Sequence, residues 1–232
     1  MRFSVPLKVA IFLRRYQRFL ADVQFDDGRI VTVHCPNTGS MRTCSTPGSK
    51  VYLSESDNPN RKYKYTIEII NENSTMIAIN TSRTNSVVYE AIQNGLIAEL
   101  GTPTKMQREV KTSDNCRLDL VLYYDSSLTF VEIKSCTFAQ DGIAMFPDAV
   151  TARGHKHLLE LADLVRRGHR GAVFFLVQRS DARQFRPATF IDPLYSATLK
   201  QVHEQGVAIL VYRAEVSPEE IMVSQPLPFS FS

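Results

Sequence analysis

Long apolar runs are missing from this 232-residue sequence. No stretch reaches the roughly 18 uninterrupted apolar residues of a membrane span, which excludes a helical membrane protein. The opening Met1-Arg2-Phe3-Ser4-Val5-Pro6 leads into Lys8, Arg14 and Arg15 without the apolar core of a signal peptide. Cysteine is sparse: residues 35, 44, 116 and 136 form no CxxC pair, and a small secreted disulfide domain would be denser. The expectation is a cytoplasmic protein with reduced thiols. His34, Cys35 and Cys44 fit no usual zinc spacing, so buried thiols are the plainer reading. HExxH does not occur, which argues against a zinc hydrolase of that kind, and no GxxxxGK(S/T) or GxGxxG implies a nucleotide cofactor. A strong charge imbalance is lacking too. Lys and Arg total 27 against 24 acidic residues, which permits nucleic-acid binding without predicting it. No repeat, low-complexity tract or helix-turn-helix recognition helix is visible.

What is present is ordinary globular material, 44% hydrophobic and 22% charged, enough for one large domain or two small ones. Residues 1 to 80 read as short strands at near-regular spacing: 30–34, 51–53, 65–70 and 76–79. Turn clusters at 36–40, 47–48 and 56–60 separate them. That pattern and size predict a small five-stranded barrel. After Asn80 the pattern changes. Val87, Val88, Ala91, Ile92 and Leu96 predict a helix over 86–99, capped by Asn85 or Ser86. Strands are expected at 107–111, 117–124 and 128–134, a helix at 150–167 ending at Gly168, and an apolar strand at 171–177. A helix at 193–204 and a strand at 207–212 follow. The expected units are residues 1–82 and 83–232.

The most informative stretch is Arg117-Leu118-Asp119-Leu120-Val121-Leu122 followed by Phe130-Val131-Glu132-Ile133-Lys134. Side chains two apart on a strand share a face. Leu118, Leu120 and Leu122 therefore take one face and Asp119 the other, while Glu132 and Lys134 lie opposite Val131 and Ile133. A short polar link makes the two runs a hairpin, so Asp119 can stand beside Glu132. Two carboxylates suit Mg²⁺, which takes one or two of them and keeps several waters. Such an ion polarises a phosphodiester oxygen, and Lys134 would hold the attacking water or the phosphate. Glu90, on the preceding helix, is a third carboxylate within reach of the same ion. The same spacing also suits a solvated strand face with cross-strand charge pairs.

His34-Cys35-Pro36-Asn37-Thr38-Gly39-Ser40-Met41, Ser56-Asp57-Asn58-Pro59, Val131-Glu132-Ile133-Lys134-Ser135, Phe146-Pro147-Asp148-Ala149-Val150-Thr151 and Arg153-Gly154-His155-Lys156-His157-Leu158 closely resemble the sugar fermentation stimulation protein A (SfsA) family. The resemblance runs from about Leu13 to Leu227. It implies an N-terminal OB-fold-like β-barrel and a C-terminal α/β domain similar to PD-(D/E)xK nucleases. It further implies a sequence-nonspecific DNA-binding protein linked by name to regulation of sugar (maltose) metabolism. The nuclease-like motif falls on Asp119, Glu132 and Lys134 as catalytic residues. Glu90, Asp119 and Glu132 are then the ligands for Mg²⁺ or Mn²⁺. Cys116 stands where the family commonly has Ser. The alternative is an active Mg/Mn-dependent nuclease cutting DNA or RNA.

Two basic clusters interleave with aromatics: Arg14, Arg15 and Arg18 near Tyr16 and Phe19, and Arg61, Lys62 and Lys64 near Tyr63 and Tyr65. Such clusters suit a phosphate-tracking groove or a barrel core edged by solubilising cations. Asn37-Thr38-Gly39-Ser40 is either a phosphate nest or, more simply, a turn. Lys156 and His157 open the second helix, facing the metal site or a phosphate. The sequence leaves the oligomeric state, a homodimer included, open.

Overall fold

Alternating burial organises the first unit. Along β1 (Lys8–Tyr16) Ala10 and Phe12 point inward, and along β4 (Lys50–Glu55) Val51 and Leu53 do, the period of a half-buried strand. With β2 (Leu20–Gln24), β3 (Ile30–His34) and β5 (Tyr65–Glu72) they form the order β3-β2-β1-β4-β5. A parallel pairing of His34 with Thr66 closes it into a five-stranded barrel, which removes the free edges. Its core gathers Phe12, Val23, Val33, Leu53, Ile67 and Ile70 with Cys35 and Cys44. β6 (Thr75–Ala78) extends β5. The computed structural model describes residues 1–231.

The second unit begins with a 3-10 turn at Thr81–Arg83 and α1 (Thr84–Gln93). Its six-stranded sheet holds β7 (Lys105–Ser113), β8 (Cys116–Tyr123) and β9 (Leu128–Cys136). Between β9 and the rest of that sheet come β10 (Ala139–Gln140), β11 (Ile143–Phe146) and α2 (Ala152–Arg166). The chain continues through β12 (Arg170–Val177), β13 (Gln184–Pro187), α3 (Pro193–Glu204), β14 (Ala208–Val216) and β15 (Ile221–Pro226). The large sheet has the order β15-β14-β12-β9-β8-β7, with β12 parallel to both β9 and β14. β12 is buried on both faces because α1 covers one and α2 with α3 cover the other, which explains its unbroken apolar run. β10, β11 and β13 form a separate small sheet.

Several expectations need correction. The first helix covers 84–93 and not 86–99; Gly95 (φ 71°) turns the chain, and Leu96 is exposed. Asn85 does not cap it, because its amide is spent on Asp119; Asn80 instead caps the preceding 3-10 turn. β1, β2, β10, β11, β13 and β15 are not among the expected strands. The signal for β10–β11 was Asp141-Gly142, both at positive φ, a two-residue hairpin turn. Leu118 and Leu120 do not share a face: Leu118 packs with the α2 side and Leu120 with the α1 side. The interruption lies opposite Glu109, which has φ 53°. Residues 1–3, expected with the barrel, lie along the segment that leads into β15: Phe3 N donates to Glu219 O at 2.9 Å, Arg2 bridges to Glu220, and Ile221 N donates to Met1 O.

Loop 36–43 docks the barrel onto the sheet unit. Thr81 N and Oγ1 both donate to Pro36 O, at 3.1 and 2.9 Å. Arg179 Nη1 donates to Thr43 Oγ1 at 3.0 Å. Ser40 N donates to Asp148 Oδ2 at 2.9 Å.

Candidate metal centre

β8 and β9 pair from Leu120↔Val131 outward and separate just before that point. Asp119 sits in the gap. Its Oδ2 accepts the Ile133 N–H at 2.7 Å, taking the place of a ladder bond. Its Oδ1 accepts from Asn85 Nδ2 at 2.8 Å. Glu132 lies on β9, between β8 and β12, and is 2% exposed. Its Oε1 accepts from Lys134 Nζ at 2.5 Å and from His157 Nδ1 on α2. Its Oε2 is buried and has no partner. Arg153 Nε donates to His157 Nε2 at 3.4 Å, completing a chain from the surface to Glu132.

Electrostatics follow from this burial. Burial, and next the nearby Glu132 charge, push the Asp119 carboxyl up to about 6, against the pull of Ile133 N–H, Asn85 and Lys134. For Glu132 burial pushes the same way, but hydrogen bonds and charge from His157 and Lys134 outweigh it and hold it below its ordinary value. One carboxylate is thus stabilised as an anion while its neighbour is strained by it. An orphaned carboxylate oxygen costs about 1–3 kcal/mol or more. A hard divalent cation would satisfy Glu132 Oε2 and relieve Asp119 together, so these residues fit Mg²⁺ or Mn²⁺. Below them a cavity of about 240 Å³ is lined by Lys134, Asn85, Thr38, Gly39, Asp148 and Ser135, among others.

The other expected site residues lie elsewhere or are otherwise engaged. Glu90 is away from this point: half-exposed, it pairs with the Met1 ammonium at 3.2 Å. Five helical residues separate it from Asn85, a rotation of about 140°, so only Asn85 reaches Asp119. Among the described residues no group of three His, Cys, Asp or Glu side chains forms a metal cluster. In the barrel, Arg14 pairs with Asp22 at 2.8 Å and Lys64 with Glu55 at 2.6 Å. Arg15 donates to Asn37 O and Gly39 O, and Arg18 to Thr38 O. Both arginines thus hold the 37–40 loop in shape. Arg61 donates to Thr66 Oγ1, and Lys62 lies over the Tyr63 ring. The Ser40 and Met41 N–H groups face Asp148, an internal carboxylate, and the Gly39 N–H donates to Asn37 Oδ1, so the loop is not an open nest. Asn85, in the first turn of α1, was expected only as a cap, and Asp148 stood only within a motif; a lone amide and a lone acid give no periodic signal. The cysteines are all buried and unpaired, with Cys35 and Cys44 pushed by burial to about 11 and about 12.

The architecture defines a two-unit protein, an OB-type barrel followed by a mixed α/β sheet unit with a buried carboxylate centre. Residues 13–79 match the model of the SfsA N-terminal OB domain, and residues 82–220 match that of the sugar fermentation stimulation protein RE domain. The chain belongs to the sugar fermentation stimulation protein (SfsA) family. It is 57% identical to the sugar fermentation stimulation protein homolog of Desulfotalea psychrophila over 93% of this chain and 92% of that one. Identity to the homolog of Geotalea uraniireducens is 48%, over 98% of each. The structure of Pyrococcus furiosus SfsA in complex with Ca²⁺ superposes with a TM-score of 0.89 at 28% identity, covering 100% of this chain and 98% of that one. No helix of the described residues is long and apolar enough to cross a membrane.

Proposed function

We propose that this protein binds DNA with little sequence preference and that Asp119, Glu132 and Lys134 form a Mg²⁺- or Mn²⁺-dependent centre acting on phosphodiester bonds. The observation that carries this is the unpartnered, buried Glu132 Oε2 beside the charge-strained Asp119. A carboxylate is buried without a partner at a cost that a bound cation removes. The Ca²⁺ complex of the Pyrococcus furiosus relative supports a divalent ion in this family. When bound, the ion polarises a phosphodiester oxygen and spreads its growing negative charge. Asp119 and Glu132 supply the anionic oxygens, and Asn85 and the Ile133 N–H fix the angle of Asp119. Lys134 Nζ, set on Glu132, is the donor for a phosphate oxygen or a water at the cavity mouth. A role in regulating sugar (maltose) metabolism is part of this reading; the names of the relatives carry sugar fermentation alone.

A second reading, DNA binding without turnover, draws on one feature: Lys134 and His157 already occupy Glu132 Oε1. Calorimetric titration with Mn²⁺ and a cleavage assay on labelled single- and double-stranded DNA separate the two. Under the first reading, wild type binds the ion and cuts DNA, while Asp119→Ala does neither. Ion binding without cutting of either substrate leaves the binding-only protein. No ion binding at all sinks the metal centre.

A further inference from the structure

Beside His157 a groove of about 670 Å³ runs between β7, the start of β8 and the first turn of α2. Lys111, Arg117, Arg153 and Lys156 line it, against Glu109 and Asp114. The two acids are only loosely matched. Lys111 meets Asp114 at 3.0 Å and Arg117 meets Glu109 at 3.9 Å, with all four side chains more than half exposed. Such pairs are worth little and open readily to a stronger anion. Lys156 and Arg153 rest on uncharged acceptors, Asn115 O at 2.6 Å and His157 Nε2 at 3.4 Å, which leave their charges in place. Glu160, a turn further along α2, accepts a hydrogen bond from Ser113 and does not line the groove. The first turn of α2 carries no acid, so the positive end of its dipole adds to the field. His157 is part of the groove wall and also bonds to Glu132. One imidazole therefore separates the groove from the metal centre.

We propose that this groove, more than the barrel face, is the track for the sugar–phosphate backbone of DNA, with Arg117, Arg153 and Lys156 as phosphate contacts. The proposal rests on the DNA-binding reading above and gives it a place. A polyanion that displaces Glu109 and Asp114 gains the four cations and lies with a phosphodiester one side chain away from Glu132. The barrel cations are less suited, since Arg14 and Lys64 pair with Asp22 and Glu55, acids far less exposed than Glu109 and Asp114 and so harder to displace.

The test is the salt dependence of binding of a short labelled DNA duplex to the full chain, read by fluorescence anisotropy in Ca²⁺. Each phosphate contact adds about 0.9 to the slope of log K against log salt concentration. The double variant Arg153→Gln/Lys156→Gln should bind at least tenfold more weakly at low salt, with a slope shallower by about 2. Arg14→Gln/Lys62→Gln should leave the slope unchanged. Thermal unfolding checks that each variant is folded. Should the groove double variant not fold, the exposed Arg117→Gln decides instead, with a slope shallower by about 1. A wild type that binds while the folded groove variant keeps its slope overturns the groove and leaves the DNA-binding reading standing. A wild type that binds no DNA at any salt overturns that reading and the groove with it.

Discussion

Asp119 is held ready for a cation by groups that make its own charge unwelcome. Its carboxyl is raised from 3.8 to about 6 by burial and by Glu132. The folded protein therefore keeps this proton where the unfolded chain has lost it. Between pH 3.8 and about 6 the native state binds more protons, so stability from this group falls as pH rises through that window, and the full cost stands above it. At neutral pH without metal, Asp119→Asn should raise unfolding stability by on the order of 2–3 kcal/mol. The gain should vanish near pH 4, and the stabilisation that Mn²⁺ gives wild type should be lost. Calorimetric unfolding at both pH values, with and without Mn²⁺, checks all three outcomes. A variant less stable than wild type at neutral pH would show Asp119 to be structural.

At the scale of elements, β12 decides where the chemistry sits. Its parallel pairing with β9 sets Glu132 beside Val173 and Lys134 beside Phe175, so an apolar strand floors the charged one. Phe175 is fully buried, with the Phe185 ring at 4.5 Å and the Phe146 ring at 5.5 Å. Phe175→Ala should cost about 3–5 kcal/mol in urea unfolding through lost burial and the cavity left behind. The regular elements were legible where one period ran long enough. The burial-driven run at 171–177 and the stripe of Leu158, Leu161 and Ala162 on α2 predicted strand and helix. The short strands β10 and β11 span two and four residues, too few for a period to show, and β13 pairs alongside β11.

For the molecule as a whole, one carboxylate ties the two units together at the centre. Asp148 Oδ2 accepts from Ser40 N at 2.9 Å and Met41 N at 3.4 Å. A Cβ on Gly39 would stand 2.1 Å from the same oxygen, so only glycine permits this approach. Arg15 and Arg18 hold the loop carbonyls from the barrel side. Asp148→Ala leaves two N–H groups without partners and should cost about 1–3 kcal/mol. Limited proteolysis should then cut within loop 36–43 faster than in wild type, and Gly39→Ala should do the same. Equal cleavage in all three proteins would show that the loop does not depend on this contact.

Sequence alone brought Asp119 and Glu132 to neighbouring strands through hairpin length and put Glu132 and Lys134 on one face; at Asp119 the alternation itself breaks, since Leu118 and Leu120 face opposite sides of the sheet. In the barrel, short alternating runs and their turns marked β3, β4 and β5, while β1 and β2 emerged only in the structure. Only the tertiary structure decided which other groups join them. Asn85 and not Glu90 reaches Asp119 because the rotation of α1 is fixed by Val87, Val88, Ala91 and Ile92 packing on the sheet. His157 reaches Glu132 because α2 lies across the opposite face. Arg15 and Arg18 were turned to loop carbonyls about twenty residues on, while Arg14 and Lys64 pair across hairpins with Asp22 and Glu55. Long-range packing sets such partnerships, and no periodicity along a single segment encodes them.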